Sequence, residues 1–232
     1  MQLFWDGFFS AIKLLGERDA MVLGATWRSL WVSSVAVLLA SFIGVPIGLF
    51  LSRVKFFGRG MVMVSFRAGM SIPTVLIGLL CYAMFSRRGP LGGIDLLYTP
   101  WAIIVGEFCL ALPIIVTWTQ SSLSALDPRV AETAITLGAG RLRRCLSYLS
   151  EARVGISLSI LSAFARCFTE LGVAIMVGGN IRFRTRTLTT ATALETARGE
   201  FERGVAMSLV LLFVAVIVTV VVAVISRNEG ES

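Results

Sequence analysis

Residues 29–52 run without a single charged side chain, and no other feature constrains the fold as tightly. A helix rises about 1.5 Å per residue, so this run can cross the roughly 30 Å hydrocarbon core of a bilayer. A short helix that is apolar all round has no face to show to water. More apolar stretches follow at residues 68–85, 99–126, 154–180 and 204–226. The chain is 56% hydrophobic with a mean hydropathy of +0.84, whereas soluble domains are about 45–50% apolar. The pattern predicts an all-α polytopic membrane protein with five transmembrane helices. Gly44-x-x-x-Gly48, around Pro46, is spaced to let another helix approach the first span closely. Pro113 predicts a kink in the third.

Ahead of these spans, Leu3, Phe4, Phe8, Ile12 and Leu15 recur at helical spacing among Asp6, Lys13, Glu17 and Arg18. That predicts an amphipathic helix on the membrane surface over residues 1–28. The membrane domain is then 29–226, and 227–232 is a short polar tail. No basic segment precedes the first apolar residues, so no cleavable leader is expected.

Histidine is absent, which removes the commonest acid–base group and metal ligand. Cys81, Cys109, Cys145 and Cys167 form no Cys-x-x-Cys pair and read as small core residues. No catalytic set and no metal site is expected. The formal net charge of +7 suits loops beside anionic lipid, and equally a path for an anionic solute.

Five spans put the termini on opposite sides. Charge counting does not say which is which: with 53–67, 127–153 and the C-terminus on one side, the two sides carry equal numbers of basic residues. Their density beside the spans favours 127–153 as cytoplasmic.

That segment, 127–153, is the one long polar interruption between spans that reads as ordered structure. Asp127-Pro128 is a cap followed by a first-turn proline. A helix is predicted over 129–137, Gly138-Ala139-Gly140 breaks it, and a second, basic helix starts at Arg141. Such a helix-turn-helix lies in water or against a water-soluble partner.

The fourth apolar stretch holds two charges, Arg166 and Glu170. Four residues apart, they can pair on one helix. They either face a transport pathway or fix helix packing as a neutral pair. Glu107, in the third span, has no local partner; it is protonated, faces water, or meets Arg166. Gly178-Gly179-Asn180 either exposes backbone N–H groups to an anion or is a helix end with glycine at its C-terminus. Pro73-Thr74 marks a kink, with or without a hydroxyl on the pathway. Arg87, Arg88, Arg182, Arg184 and Arg186 attract an anion, pair with an acidic docking protein, or are simply solvated.

Glu132-Thr133-Ala134-Ile135-Thr136-Leu137-Gly138 resembles the EAA loop of the permease subunits of bacterial ABC importers, with Thr133 in place of the first alanine. The family's Leu-Pro pair further on is missing; Glu151-Ala152-Arg153 stands there. Phe164 to Gly172, with Arg166 and Glu170-Leu171-Gly172, then Gly179-Asn180 and the Thr-rich 184–190, are similar to permeases for tetrahedral oxyanions. Arg87-Arg88-Gly89-Pro90-Leu91-Gly92 and Ser71-Ile72-Pro73-Thr74 fit the same group. Within it the chain most resembles the tungstate branch, then molybdate and sulfate permeases.

The resemblance implies a type I importer permease fold in the cell inner membrane, N-terminus outside and C-terminus cytoplasmic. It implies that Glu132, Thr133, Ala134 and Gly138 couple to two cytoplasmic ATPase subunits, which hold the ATP and Mg²⁺. This chain would carry no cofactor, perform no chemistry and bind no nucleic acid. An oxyanion-binding protein would dock outside, at Arg87, Arg88, Arg182, Arg184 and Arg186. Ser71, Pro73, Thr74, Arg166, Glu170, Gly178, Gly179 and Asn180 would line the pathway. Five helices are few to enclose a path, so a symmetric homodimer is expected, with the path between its halves. The rivals are a molybdate or sulfate importer and, from a different class, a channel or membrane scaffold with no ATPase.

Overall fold

The computed structural model describes residues 20–228. Most of the expected amphipathic helix over 1–28 therefore lies outside the described residues, as does most of the tail. Ala20–Arg53 forms one continuous helix, α1. Its first turns are residues the sequence assigns to the surface helix.

Among the described residues three helices are long and apolar enough to cross a membrane alone: α1, α4 (Pro100–Ser124) and α10 (Phe201–Asn228). Two bent pairs supply the rest. Helices α2 (Arg59–Gly69) and α3 (Thr74–Phe85) meet at 98°, and α7 (Arg153–Phe168) and α8 (Gly172–Gly178) at 57°. Each pair counted as one span gives five. Between α4 and α7 lie the short helices α5 (Pro128–Thr136) and α6 (Arg141–Glu151), and α9 (Leu188–Ala197) precedes α10.

The bent pairs break the second and fourth apolar stretches, the first of them at the Pro73 kink. Pro73 has no N–H to give and disfavours helical geometry at Ile72, so the chain breaks over residues 70–73. Helix α2 buries no side chain within this one chain, which leaves it a peripheral, amphipathic element. Pro113 and Pro46, by contrast, sit inside continuous helices. Pro113 packs toward Gly69, where an added Cβ would come within 3.1 Å of the ring.

Helices α1 and α4 form the central seam and run parallel. Gly44 faces Ile115, and a Cβ on Gly48 would sit 2.9 Å from Thr119 and 3.1 Å from the Val116 carbonyl oxygen. The main core gathers round this seam, with Ile103, Ile104 and Ile115 of α4 fully buried beside Val32, Ala36, Val173 and Val177. At about 1.5 Å per residue α4 is about 37 Å long, so it separates two distinct ends. At one, Arg53 at the end of α1 donates to the Leu123 carbonyl at 3.0 Å. At the other, the Tyr98 N–H donates to the Val177 carbonyl at 2.9 Å, and Arg28 Nε to the Arg186 carbonyl at 2.9 Å.

Candidate functional site

The first of these ends carries the α5–α6 hairpin. Asp127 caps α5 by accepting the Arg129 N–H at 2.8 Å, and Pro128 opens it. Gly138 stops it in the left-handed region, at φ +70°, and Ala139 donates back to the Ala134 carbonyl at 2.9 Å. Both helices are strongly amphipathic. Their apolar side chains are only partly used: Leu137 is 79% exposed and Leu142 77%, with Ile135 and Leu146 also bare. A groove of about 430 Å³ lies between Val130, Thr133, Ala134 and Leu137 on one side and Ser147 on the other. Glu132, Thr133 and Gly138 are exposed, and Ala134 is nearly covered.

The hairpin is tied to the spans. Tyr148, Ala152 and Leu123 form a small separate core with Leu49, Val130 and Ile156 packed on it. The Arg53 guanidinium lies 4.0 Å from the Tyr148 ring centre. These contacts join the hairpin to the ends of α1 and α4. Neither contact is local in sequence, and only the i, i+4 spacing of Leu142 and Leu146 announces the exposed stripe beforehand.

The second span break, after α7, holds the buried Glu170 and lies against the start of α3. Arg166 Nη1 pairs with Glu170 Oε2 at 2.7 Å, as the spacing predicts. Glu170 itself lies beyond α7, in the break, and is 3% exposed at its side chain. Its other oxygen accepts the Gly172 N–H at 2.7 Å and the Val173 N–H at 3.2 Å, capping α8. The Glu170 carbonyl takes the Thr189 hydroxyl at 2.9 Å. Thr74 stands against the same turn: a Cβ on Gly172 would lie 2.9 Å from its hydroxyl. Thr74, Glu170 and its ion-pair partner Arg166 are thus brought together, while Ser71 and Pro73 sit exposed in the first break. Glu107 is buried beside Ser33, and one of its carboxyl oxygens has no partner among the described residues.

The opposite end gathers the loops. Gly179 takes φ +67° and donates to the Ile175 carbonyl at 3.1 Å, so Gly178-Gly179 ends α8 and that N–H is spent. Arg186 differs from the other four loop arginines. It is 9% exposed, with Nε on the Asn180 side-chain oxygen at 3.0 Å and Nη2 on the Asn180 carbonyl at 3.3 Å. Burial, with Arg198 nearby, lowers its pKa from the usual arginine value. It braces the Asn180 turn. Thr187 and Thr190 cap α9 reciprocally, so the threonines of 185–190 are buried in fold-building contacts. Arg87 and Arg184 line a cavity of about 560 Å³ with Tyr82, Ser86, Asp95 and Tyr98.

Residues 44–229 match the family model described as "Binding-protein-dependent transport system inner membrane component". The chain belongs to this family. It is 32% identical to the tungstate uptake system permease protein TupB of Peptoclostridium acidaminophilum, over 96% of this chain and 97% of that one. With TupB of Campylobacter jejuni it shares 35%, over 93% of this chain and 90% of that protein. The molybdenum transport system permease protein ModB of Escherichia coli K12 is 29% identical over 89% and 95%. Among solved structures, an inward facing form of the MetNI methionine ABC transporter superposes with a TM-score of 0.73 at 18% identity, covering 91% of this chain and 97% of that one.

The MetNI likeness confirms the fold of a type I importer permease. With the family match, it makes this inner membrane component a multi-pass helical permease.

Proposed function

We propose that this permease is the membrane-spanning subunit of an ATP-driven oxyanion importer, with tungstate as its cargo. Two copies form the pathway, with residues 29–226 of each as the membrane domain. Each copy docks one cytoplasmic ATPase subunit through Glu132, Thr133, Ala134 and Gly138. The ATP and its Mg²⁺ belong to that subunit, and this chain has no catalytic role. An extracytoplasmic oxyanion-binding protein meets the loop end, and the chain runs from an outer N-terminus to a cytoplasmic C-terminus.

One observation carries the reading: a capped, amphipathic hairpin with bare Leu137, Leu142 and Leu146 outside the spans, pinned to α1 and α4 by Tyr148 and Arg53. Exposed apolar side chains of this number call for a cover. A rigid lever fixed to two spans converts movement of that cover into movement of the spans. ATP-driven closure of the two ATPases would then rock the halves and open the path to alternate sides. Tungstate leads because the TupB relatives match at 32% and 35%, above the ModB relatives at 29% and the sulfate permease CysT at 25%.

The test is co-purification with a cytoplasmic ABC ATPase subunit of the same organism. Glu132→Lys and Gly138→Asp should each abolish it, the first by charge reversal and the second by putting a side chain and charge on the docking face. Normal ATPase binding by both variants would overturn the docking assignment. Uptake of tungstate, molybdate and sulfate, each measured by elemental analysis of cells, separates the cargo readings.

A further inference from the structure

The loop-end cavity has a composition that neither membrane crossing nor ATPase docking requires. Its wall combines Arg87 from the turn after α3, Arg184 from the loop before α9, the Tyr82 and Tyr98 phenols, and the Ser86 hydroxyl, with Asp95 as its one carboxylate. The ion pairs between described residues are Arg166–Glu170 and Arg198–Glu195. Arg28, Arg53, Arg59 and Arg186 are each held by a hydrogen bond. Among the described residues, Arg87 and Arg184 have neither, so both guanidinium forks keep their donors free. From this we propose that the cavity binds a free tetrahedral oxyanion. The proposal rests on the oxyanion-import reading above and gives that cargo a first station on the permease.

The chemistry fits the ligand. A guanidinium offers paired N–H donors that match the edge of a tetrahedral anion, and charge assistance strengthens each bond. Interaction with the neighbouring Tyr82 phenol raises the Tyr98 pKa, so Tyr98 stays a protonated donor. Two arginines against Asp95 leave the wall net positive. The carboxylate keeps the attraction short of a trap, and a site on a path has to let its ligand go. At about 560 Å³ the space exceeds one such anion, so the ligand keeps part of its water.

The backbone is held for this arrangement. Asp95, Tyr98, Asn180 and Phe183 are the non-glycine residues with positive φ among those described, at 49°, 61°, 48° and 61°. Two of the four line the cavity and the other two flank Arg184. For aromatic residues that region is a true outlier, and such strain persists only where surrounding contacts enforce it. Here the Tyr98 N–H is anchored on the Val177 carbonyl, and its ring packs against Gly179, where a Cβ would lie 2.6 Å away.

The experiment uses the full chain in lipid nanodiscs, titrated calorimetrically with sodium tungstate, molybdate or sulfate. Wild type should bind at least one of them. Arg87→Gln and Arg184→Gln should each weaken binding at least tenfold, and Lys55→Gln, at the far end, should leave it unchanged. Arg184→Lys, which keeps the charge and loses the fork, should fall between. Each variant is checked for wild-type elution and thermal midpoint, and Arg184→Lys stands in should a glutamine variant misfold. No binding by wild type, or binding indifferent to both arginines, overturns the proposal. So does a result in which the arginine variants lose only the extracytoplasmic binding protein, since the cavity is then a socket for that protein's carboxylates. Oxyanion uptake without binding to the purified chain sinks the cavity alone. Binding without any uptake sinks the import reading and leaves the cavity standing.

Discussion

Glu170 uses both of its carboxylate oxygens, one on Arg166 and one on the first amides of α8. The Arg166 side chain is 43% exposed, so the ion pair contributes at most about 1 kcal/mol. The cap is the larger share, because hydrogen bonds to a charged group are worth about 1.5–3 kcal/mol and the buried amides have no other acceptor. Glu170→Ala should therefore lower the thermal midpoint clearly, and Glu170→Gln should lower it less, since its amide oxygen can still accept from Gly172. Equal losses in a thermal-shift assay would show that the charge and not the cap matters. The spacing of Arg166 and Glu170 made the pair legible in the sequence. The cap was not, because it depends on a helix break that hydropathy averages over. Arg186 could not be told from its neighbours for a related reason: five arginines near one another look alike until the fold turns one of them onto Asn180.

Local signals were enough for short elements. Asp127-Pro128 opens α5 within a residue of the expected start, Gly138 closes it, and α6 begins at Arg141 as read. The sequence put most of α2 in a basic loop, because Arg59 and Arg67 break its apolar run, and the structure makes it a helix that meets α3 at 98°. The α1–α4 seam was half legible. Gly44 and Gly48 have the spacing of a close contact, and the structure supplies Ile115 and Thr119 opposite them. Gly48→Leu should push these parallel helices apart at a cost of about 1–3 kcal/mol, read as a lower thermal midpoint, with Gly48→Ala milder. A different result is expected at the hairpin. Tyr148→Ala removes the Arg53 ring contact, worth about 0.5–2 kcal/mol, and hollows the small core beneath the lever. The α5 docking face itself is untouched, so the variant should still co-purify with the ATPase while oxyanion uptake falls severalfold. Uptake at the wild-type rate would mean that force reaches the spans by another route.

At the scale of the molecule, the sequence could group its loops but could not orient them. The basic residues divide equally, and the contacts that assign each loop to an end are long-range. Arg53 on Leu123 places the loop after α1 beside the hairpin, and Tyr98 on Val177 joins the two loops opposite. That geometry fixes which loops share a side and turns orientation into a single binary measurement. Leu137 and Phe183 are both well exposed and stand at opposite ends of α4. With the four free cysteines replaced by alanine or serine, Leu137→Cys and Phe183→Cys each report one end through a membrane-impermeant maleimide. In intact cells stripped of outer membrane, Phe183→Cys should label and Leu137→Cys should not. Inverted vesicles should reverse the pattern. Labelling of both from one side would contradict the fold, because about 37 Å of apolar helix lies between them. Labelling of Leu137→Cys from outside alone would keep the fold and turn it over, placing the hairpin where no ATP-driven partner can reach it.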